Sequence, residues 1–126
     1  MSEDMITKKI ISAAIEVHKV LGGPGLLEKI YEDALFHEFE LRKIPGARQV
    51  LVPIKYKGVE IREPLRVDLL VDNSIIIEIK ATEMDYPIHR AQLLTYLRLT
   101  NLKLGLLLNF GHLRLVDGIT RVVNGL

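Results

Sequence analysis

The fold is decided by residues 65–80, which read LRVDLLVDNSIIIEIK. Leu65–Val71 and Ile75–Lys80 are apolar runs of strand length, and the Asp-Asn-Ser at 72–74 that separates them is typical of a turn. This stretch therefore predicts a β-hairpin whose two strands lie side by side.

Charged residues interrupt both strands of this hairpin. Side chains alternate between the two faces of a strand, so Glu78 and Lys80 share one face and the isoleucines at 75, 77 and 79 share the other. Burying a carboxylate or an ammonium group costs free energy unless it has a partner. We expect this partner to be Asp68, the acid in the middle of the neighbouring strand.

The length of the turn decides whether Asp68 reaches Glu78. With a loop of three residues, Val71 pairs with Ile75, and Asp68 comes directly opposite Glu78 on the same face. With a loop of two residues, Asp68 lies opposite an isoleucine and the two acids are on different faces. We predict the three-residue loop, because Asn73 readily adopts the left-handed conformation that such loops often need.

The rest of the chain predicts three helices and further strands. An apolar stripe at helical spacing from Ile6 to Leu21 indicates a first helix, which Gly-Gly-Pro-Gly at 22–25 ends. A second helix is expected from about Leu26 to about Arg42, and a third from Pro87 to about Thr100. The expected apolar stripe of the second helix consists of Leu27, Ile30, Tyr31, Ala34, Leu35 and Leu41.

Further strands are expected at Gln49–Tyr56 and at Lys103–Asn109, with a short strand at most at Val59–Ile61 and one more short strand after Gly111. Without the two short strands, the element order is α-α-β-β-β-α-β, and we predict an α/β fold with a mixed sheet and helices on both sides. The length of 126 residues is that of one domain, which we expect to span 1–126.

Composition and charge exclude several classes of function. The chain has no cysteine, which rules out disulfides, thiolate metal sites and cysteine nucleophiles. Its apolar runs are too short to span a bilayer and its first residues are acidic, so we expect a cytoplasmic protein with no membrane partner. The net charge of +1 gives no global field that attracts nucleic acid, although Lys and Arg outnumber acids between Arg42 and Arg66.

Two carboxylates side by side repel each other and need a positive charge nearby to ionise together. Lys80 alone can supply that charge, and the hairpin then holds a buried ion pair with a structural role. A divalent cation is the alternative, and oxygen ligands from Asp68 and Glu78 suit Mg²⁺ or Mn²⁺ rather than zinc. Such an ion would polarise a phosphodiester and lower the pKa of a bound water, while Lys80 would orient that water or stabilise charge on the phosphate.

Two more pairs of polar residues are spaced to lie on one face of a helix. Gln92 and Tyr96 are four residues apart in the third helix, where they form either a contact with the metal site or a phosphate, or a plain polar edge. Glu28 and Tyr31 are three apart in the second helix. Glu28 is either a third carboxylate ligand or a solvated acid that the helix dipole favours.

Together these motifs resemble the PD-(D/E)xK nuclease superfamily. The order of Asp68, the E-x-K of β-strand residues 78–80, and Gln92 with Tyr96 on a following helix is similar to its RecB-type branch. Residues 25–31, GLLEKIY, match the pattern that names the small prokaryotic GxxExxY family of this superfamily. The resemblance implies a restriction-endonuclease-like core, α-β-β-β-α-β, with an extra N-terminal helix.

The resemblance also implies roles for individual residues. It places a metal ion on the carboxylates of Asp68 and Glu78 and on the backbone carbonyl of Ile79. By the same resemblance Lys80 is the catalytic lysine, and Glu28 is a further acid close to the metal. The motif's proline is replaced by valine at position 67.

The resemblance assigns supporting roles to Gln92 and Tyr96, which would hold the site or contact DNA, and to Tyr31, which would pack behind Glu28. The function that follows is a Mg²⁺- or Mn²⁺-dependent nuclease acting on nucleic acid, and on DNA in particular. Because the net charge is low, a homodimer or a partner protein would supply part of the DNA affinity. The alternative hypothesis is a catalytically inactive module with the same fold that binds protein or nucleic acid.

Overall fold

The chain folds into three α-helices and seven strands, described for residues 2–125 of a computed structural model. The helices are α1 (Glu3–Val20), α2 (Glu28–Arg42) and α3 (Pro87–Thr100). The strands are β1 (Gly46–Val52), β2 (Lys55–Tyr56), β3 (Val59–Glu60), β4 (Leu65–Val71), β5 (Ile75–Lys80), β6 (Leu104–Asn109) and β7 (Ile119–Val123). A short 3-10 helix, Leu115–Gly118, precedes β7.

Five of the strands form one mixed sheet in the order β1-β4-β5-β6-β7. β5 and β6 run parallel and are connected through α3, whereas the other neighbours are antiparallel. β2 and β3 form a separate hairpin outside this sheet. The predicted α/β architecture is confirmed, and the predicted last short strand is β7.

Local sequence signals set most of the element boundaries. The Ser2 hydroxyl caps α1 by accepting the N–H of Met5 at 3.2 Å. Pro87 begins α3, where its fixed φ and missing N–H are favourable. The single strand predicted over 49–56 was wrong. β1 begins earlier and ends before Pro53, which has no N–H to donate to a ladder.

Apolar side chains cover the sheet on both faces. α1 and α2 pack on one face, where Ile75, Ile77 and Ile79 of β5 join their core. α3 packs on the other face, where Leu93 and its neighbours form a second core. At Gly105 a β-carbon would lie 2.9 Å from Leu93 Cδ1, so this glycine permits the close approach of α3 to β6.

The buried face of α2 differs from the predicted stripe. Tyr31, Leu35 and Phe39 are spaced by four residues and are buried, as is Glu32. Predicted core residues that are in fact exposed are Leu27, Ile30 and Leu41. The prediction was wrong for Leu27 because it precedes α2, and for Ile30 and Leu41 because the helix presents to the core a narrower face, which runs through Tyr31 and Phe39.

Candidate functional site

The β4–β5 hairpin adopts the register that a three-residue loop requires. Val71 pairs with Ile75, and the Ser74 N–H donates to the Val71 carbonyl at 3.0 Å. Asp72 and Asn73 adopt positive φ angles of 55° and 51°, which their short polar side chains tolerate. The predicted loop length is confirmed, and the acids of the two strands come together.

The carboxylates of Asp68 and Glu78 each accept a hydrogen bond from a backbone N–H of the opposite strand. The Asp68 N–H donates to Glu78 Oε2 at 2.8 Å, and the Ile79 N–H donates to Asp68 Oδ2 at 2.9 Å. Among residues 2–125, no group donates to Asp68 Oδ1 or to Glu78 Oε1, and the one buried side-chain polar atom without a partner is the Thr7 hydroxyl. The two free carboxylate oxygens therefore keep contact with solvent, and each acid offers one oxygen to a ligand.

Burial raises the pKa of both acids. Glu78 is 6% exposed, and its burial, followed by the charge of Asp68, raises its pKa from 4.5 to about 8. Burial is also the main cause of the raised pKa of Asp68, which the hydrogen bond from Ile79 opposes. The charge of Lys80 lowers both pKa values without offsetting the burial. Near neutral pH the pair therefore retains a proton or takes up a cation.

The donor atoms at this pair fit a hard divalent cation. Carboxylate and carbonyl oxygens are the ligands that Mg²⁺ and Mn²⁺ prefer. The Ile79 N–H points at Asp68, and the carbonyl of a strand residue lies on the same edge as its N–H, so the Ile79 carbonyl also faces β4. In the described part of the chain, no three acidic or histidine side chains are grouped to hold a metal. Two carboxylates, one carbonyl and water are therefore the ligands that this site can offer.

Two acids of α2 lie one turn apart near the carboxylate pair, and their environments differ. Glu28 is exposed at the start of the helix, whereas Glu32 is 5% exposed. Beside the dominant effect of burial, the charges of both raise the pKa of Asp68, and Glu32 does so more strongly. Sequence reasoning missed Glu32, although its spacing of four residues from Glu28 placed the two acids on one helical face.

Side chains of β1 occupy both oxygens of Glu32. Arg48 donates to Glu32 Oε2 from Nη2 at 2.9 Å and from Nε at 3.3 Å, and the Gln49 amide donates to Oε1 at 2.8 Å. Arg48 also forms an ion pair with Asp33. Glu32 is therefore not free to bind an ion, whereas the Glu28 carboxylate accepts no hydrogen bond from residues 2–125.

Lys80 of β5 and Tyr96 of α3 interact electrostatically with the two acids. Lys80 is half-buried at the end of β5. Tyr96 is half-buried, and its pKa is raised by burial and then by the charges of Glu78 and Asp68, so its phenol lies near the pair. Gln92 lies one turn earlier on α3, is exposed, and makes no side-chain hydrogen bond within the described residues. Lys80 and Tyr96 are therefore close enough to interact electrostatically with the two acids, although within the described residues neither hydrogen-bonds to them, whereas Gln92 lies in solvent.

Tyr31 lies in the core and not beside the free carboxylate oxygens. Its ring stacks on Phe110 with a centroid distance of 4.6 Å, and the side chain is fully buried. Its hydroxyl donates to the Gly23 carbonyl at 2.8 Å and accepts the N–H of Leu26 at 3.2 Å. Tyr31 therefore fixes the loop that leads into α2 and positions Glu28 only through that loop.

The segment between Lys80 and α3 is fixed by Asn109 at the end of β6. Asn109 Oδ1 accepts the N–H groups of Thr82 and Gly111, each at 3.0 Å, and its Nδ2 donates to Asp85 Oδ1 at 2.9 Å. These bonds hold residues 81–86 against β6 and so set the direction in which the chain leaves Lys80. Sequence reasoning missed Asn109, although an amide that ends a buried apolar strand needs partners of this kind.

Comparisons with known proteins identify relatives of this fold. A family model described as PD-(D/E)XK nuclease superfamily matches residues 4–122. A crystal structure titled "Crystal structure of SSO0001" has a similar fold, with a TM-score of 0.58 and 21% sequence identity. The match covers 95% of this chain and 59% of the SSO0001 chain. A search of curated proteins found no match. The predicted restriction-endonuclease-like fold is thereby confirmed. In residues 2–125 no helix is long and apolar enough to cross a membrane.

Proposed function

Because the chain belongs to the PD-(D/E)XK nuclease superfamily, we propose that it is a metal-dependent nuclease that hydrolyses phosphodiester bonds of DNA. The observation that carries the proposal is the pair of Asp68 and Glu78, each with one oxygen left free, beside Lys80 on β5. Buried acids with raised pKa values next to a lysine are costly to keep unless they are used, and they cluster at functional sites.

Asp68 Oδ1, Glu78 Oε1 and the Ile79 carbonyl would hold Mg²⁺ or Mn²⁺. The bound ion would polarise the phosphodiester and lower the pKa of a coordinated water. Both acids can ionise together at neutral pH in that complex, since a cation replaces the proton that the pair otherwise retains.

The side chains around the pair would act on the phosphate and the nucleic acid. Lys80 would orient the attacking water or donate to a phosphate oxygen, on which negative charge increases during hydrolysis. The Tyr96 phenol would hold a phosphate oxygen beside the pair, and Gln92 would contact the nucleic acid from the solvent side of α3. Glu28 is exposed and free, so it would serve as a further acid close to the metal.

We also propose a place for the chain within the superfamily, in the RecB-type branch and its GxxExxY family. Residues 25–31 carry the GxxExxY pattern at the start of α2, and Tyr31 of that pattern fixes the loop before Glu28. Gln92 and Tyr96 lie on α3, the helix that follows the E-x-K strand. Both observations support this finer assignment.

Nucleic acid is the partner that the superfamily implies. The affinity of proteins for nucleic acid comes largely from Lys and Arg on phosphates, and the net charge of this chain is only +1. We therefore propose that a homodimer or a partner protein adds to the affinity for DNA.

The proposal is tested by incubating labelled single- and double-stranded DNA and RNA with wild type, Lys80→Ala and Lys103→Ala. Each is assayed with MgCl₂, with MnCl₂ and with chelator. Lys103 is an exposed lysine just before β6 and serves as the matched control. Cleavage that requires metal and Lys80 but not Lys103 would support a nuclease. A folded wild type that cuts no substrate and binds no Mn²⁺ would favour the inactive module that binds protein or nucleic acid.

A further inference from the structure

Strands β1 and β4 keep one register along their length, but their pairing is interrupted at one position, which we call the gap. The ladder is intact up to Arg48 on one side and from Val50 on the other, yet Gln49 and Asp68, which this register would place opposite each other, are unpaired. Gln49 adopts a φ of 49°, in the left-handed region that residues other than glycine rarely occupy. Since no residue is inserted, the gap is a local change of backbone conformation.

Both strands exchange the faces of their side chains at this gap. In β4, Leu69 joins the core under α1 and α2, whereas Val67 joins the core under α3. In β1, Arg48 reaches α2, whereas Val50 packs on the α3 side. Residues two apart share a face in a regular strand, so the alternation slips in each strand at the gap. Asp68 lies at this slip.

The gap also redirects the backbone N–H of Asp68. Asp72 donates its N–H to the Pro45 carbonyl on the β1 side, and in a regular β4 the N–H of Asp68 would point to β1 as well. It donates instead to Glu78 Oε2. A regular pairing of Gln49 with Asp68 would draw this N–H into the ladder and leave Glu78 without it.

The conformation of β1 at the gap is held from α2 by Glu32. Gln49 and the residue before it, Arg48, donate between them to both oxygens of this buried carboxylate. Glu32 thus binds two consecutive residues of β1 at the point where the strand departs from regular pairing. With both oxygens in use, it acts on the strand and not on an ion.

We propose that Glu32 is a positioning residue of the candidate site: through Gln49 and Arg48 it keeps β1 in the conformation that leaves the Asp68 N–H free to fix the Glu78 carboxylate. Without Glu32, Gln49 loses the contact that holds its left-handed conformation, the backbone at the gap shifts, and Glu78 loses the donor that sets its orientation. The consequence for metal binding rests on the proposed function, whereas the consequence for the backbone does not.

The test compares Glu32→Ala and Gln49→Ala with Glu38→Ala. Glu38 is an acid of the same helix that pairs with Arg42, so its removal is a matched control. In Glu32→Ala the Arg48 guanidinium keeps Asp33 as its partner, so the variant is expected to fold. Crystal structures of the three variants give the backbone at the gap, calorimetry gives the Mn²⁺ affinity, and thermal unfolding reports stability.

We expect Gln49→Ala and Glu32→Ala to lose the left-handed conformation at position 49 and the hydrogen bond from the Asp68 N–H to Glu78. Their Mn²⁺ affinity should be about 10–100-fold weaker than that of wild type, as for other lost partners of metal ligands, while Glu38→Ala binds as wild type does. A Glu32→Ala structure that keeps the left-handed Gln49 and the Asp68–Glu78 bond would overturn the proposal. A wild type that binds no Mn²⁺ would contradict the proposed function, and the backbone of Glu32→Ala would still decide the positioning role.

Discussion

The backbone N–H of Asp68 donates to Glu78 Oε2 at 2.8 Å, so the main chain of one acid fixes the carboxylate of the other. The N–H of Ile79, next to Glu78, fixes the Asp68 carboxylate in return. Backbone donors do not titrate, so this arrangement holds each side chain in either protonation state. Amide substitutions, which keep an acceptor oxygen and remove the charge, therefore separate the chemistry of the pair from its structural role.

Asp68→Asn and Glu78→Gln should each abolish cleavage and leave the fold intact. Each amide still accepts its backbone N–H, but it lacks the negative charge that holds a cation. We expect the cleavage rate to fall by at least about 100-fold, the scale of losing one charge-stabilising group at a reaction centre. The control is Asp72→Asn. Asp72 is an exposed acid of the same hairpin with a left-handed backbone, a conformation that asparagine also tolerates. A variant that cleaves nearly as fast as wild type would remove that acid from the mechanism.

The metal-free protein should lose stability as pH rises from about 4.5 to about 8. The pKa of Glu78 is raised from 4.5 to about 8, chiefly by burial, so in this range the folded state holds a proton that the unfolded state releases. The contribution of Glu78 to stability is therefore fully present below pH 4.5, decreases as the pH rises toward 8, and is lost above pH 8. Thermal unfolding in chelator across this range measures the effect.

Two comparisons assign this pH dependence to the carboxylate pair. Glu78→Gln should flatten the dependence, because the amide carries no charge at any pH in the range. Added MgCl₂ should raise the melting temperature of wild type at pH 8 and have little effect on Glu78→Gln. A wild type whose stability rises with pH over this range would show that other groups dominate.

Lys80→Met should separate cleavage from metal binding. The charge of Lys80 lowers the pKa of both acids, so it lies close enough to repel a cation that they hold. We expect Mn²⁺ to bind the variant as tightly as wild type or more tightly, while cleavage falls by about 100-fold. Calorimetry and a cleavage assay on the same preparation measure the two effects. Weaker Mn²⁺ binding by Lys80→Met would mean that the lysine serves to hold the acids in place.

The register of the hairpin could be predicted from sequence because the three-residue loop brings its two acids together, whereas a two-residue loop separates them. Asp68 and Glu78 interrupt apolar strands, and only a three-residue loop puts them on one face, so the turn length and the site were inferred together. The bounds of β4 and β5 follow from the same alternation of apolar and charged residues. Local patterns were sufficient where the interacting residues are close in sequence.

Sequence reasoning failed where the contact that decides the conformation comes from a distant part of the chain. The burial of Glu32 depends on Arg48 and Gln49, which lie 16 and 17 residues further along. Nothing local to Gln49 predicts its left-handed backbone, because glutamine has no preference for it. Leu27 and Ile30 have core-type side chains but are exposed, because Leu27 precedes α2 and the buried face of the helix runs through Tyr31, Leu35 and Phe39.

Gly111→Ala should destabilise the protein and impair the site together. A β-carbon at Gly111 would overlap the backbone carbonyl of Thr82, in the segment that Asn109 holds after Lys80. Because the obstacle is backbone and not a flexible side chain, we expect a loss of about 3 kcal/mol in the free energy of unfolding, as for strong overpacking. Urea unfolding measures this loss, with Gly125→Ala as control because, chain neighbours aside, no atom of residues 2–125 lies within 4 Å of a β-carbon there. Cleavage should also fall under conditions where the variant is fully folded, since the segment after Lys80 must shift. A Gly111→Ala protein as stable and active as wild type would show that this segment moves freely and that Asn109 does not fix the position of Lys80.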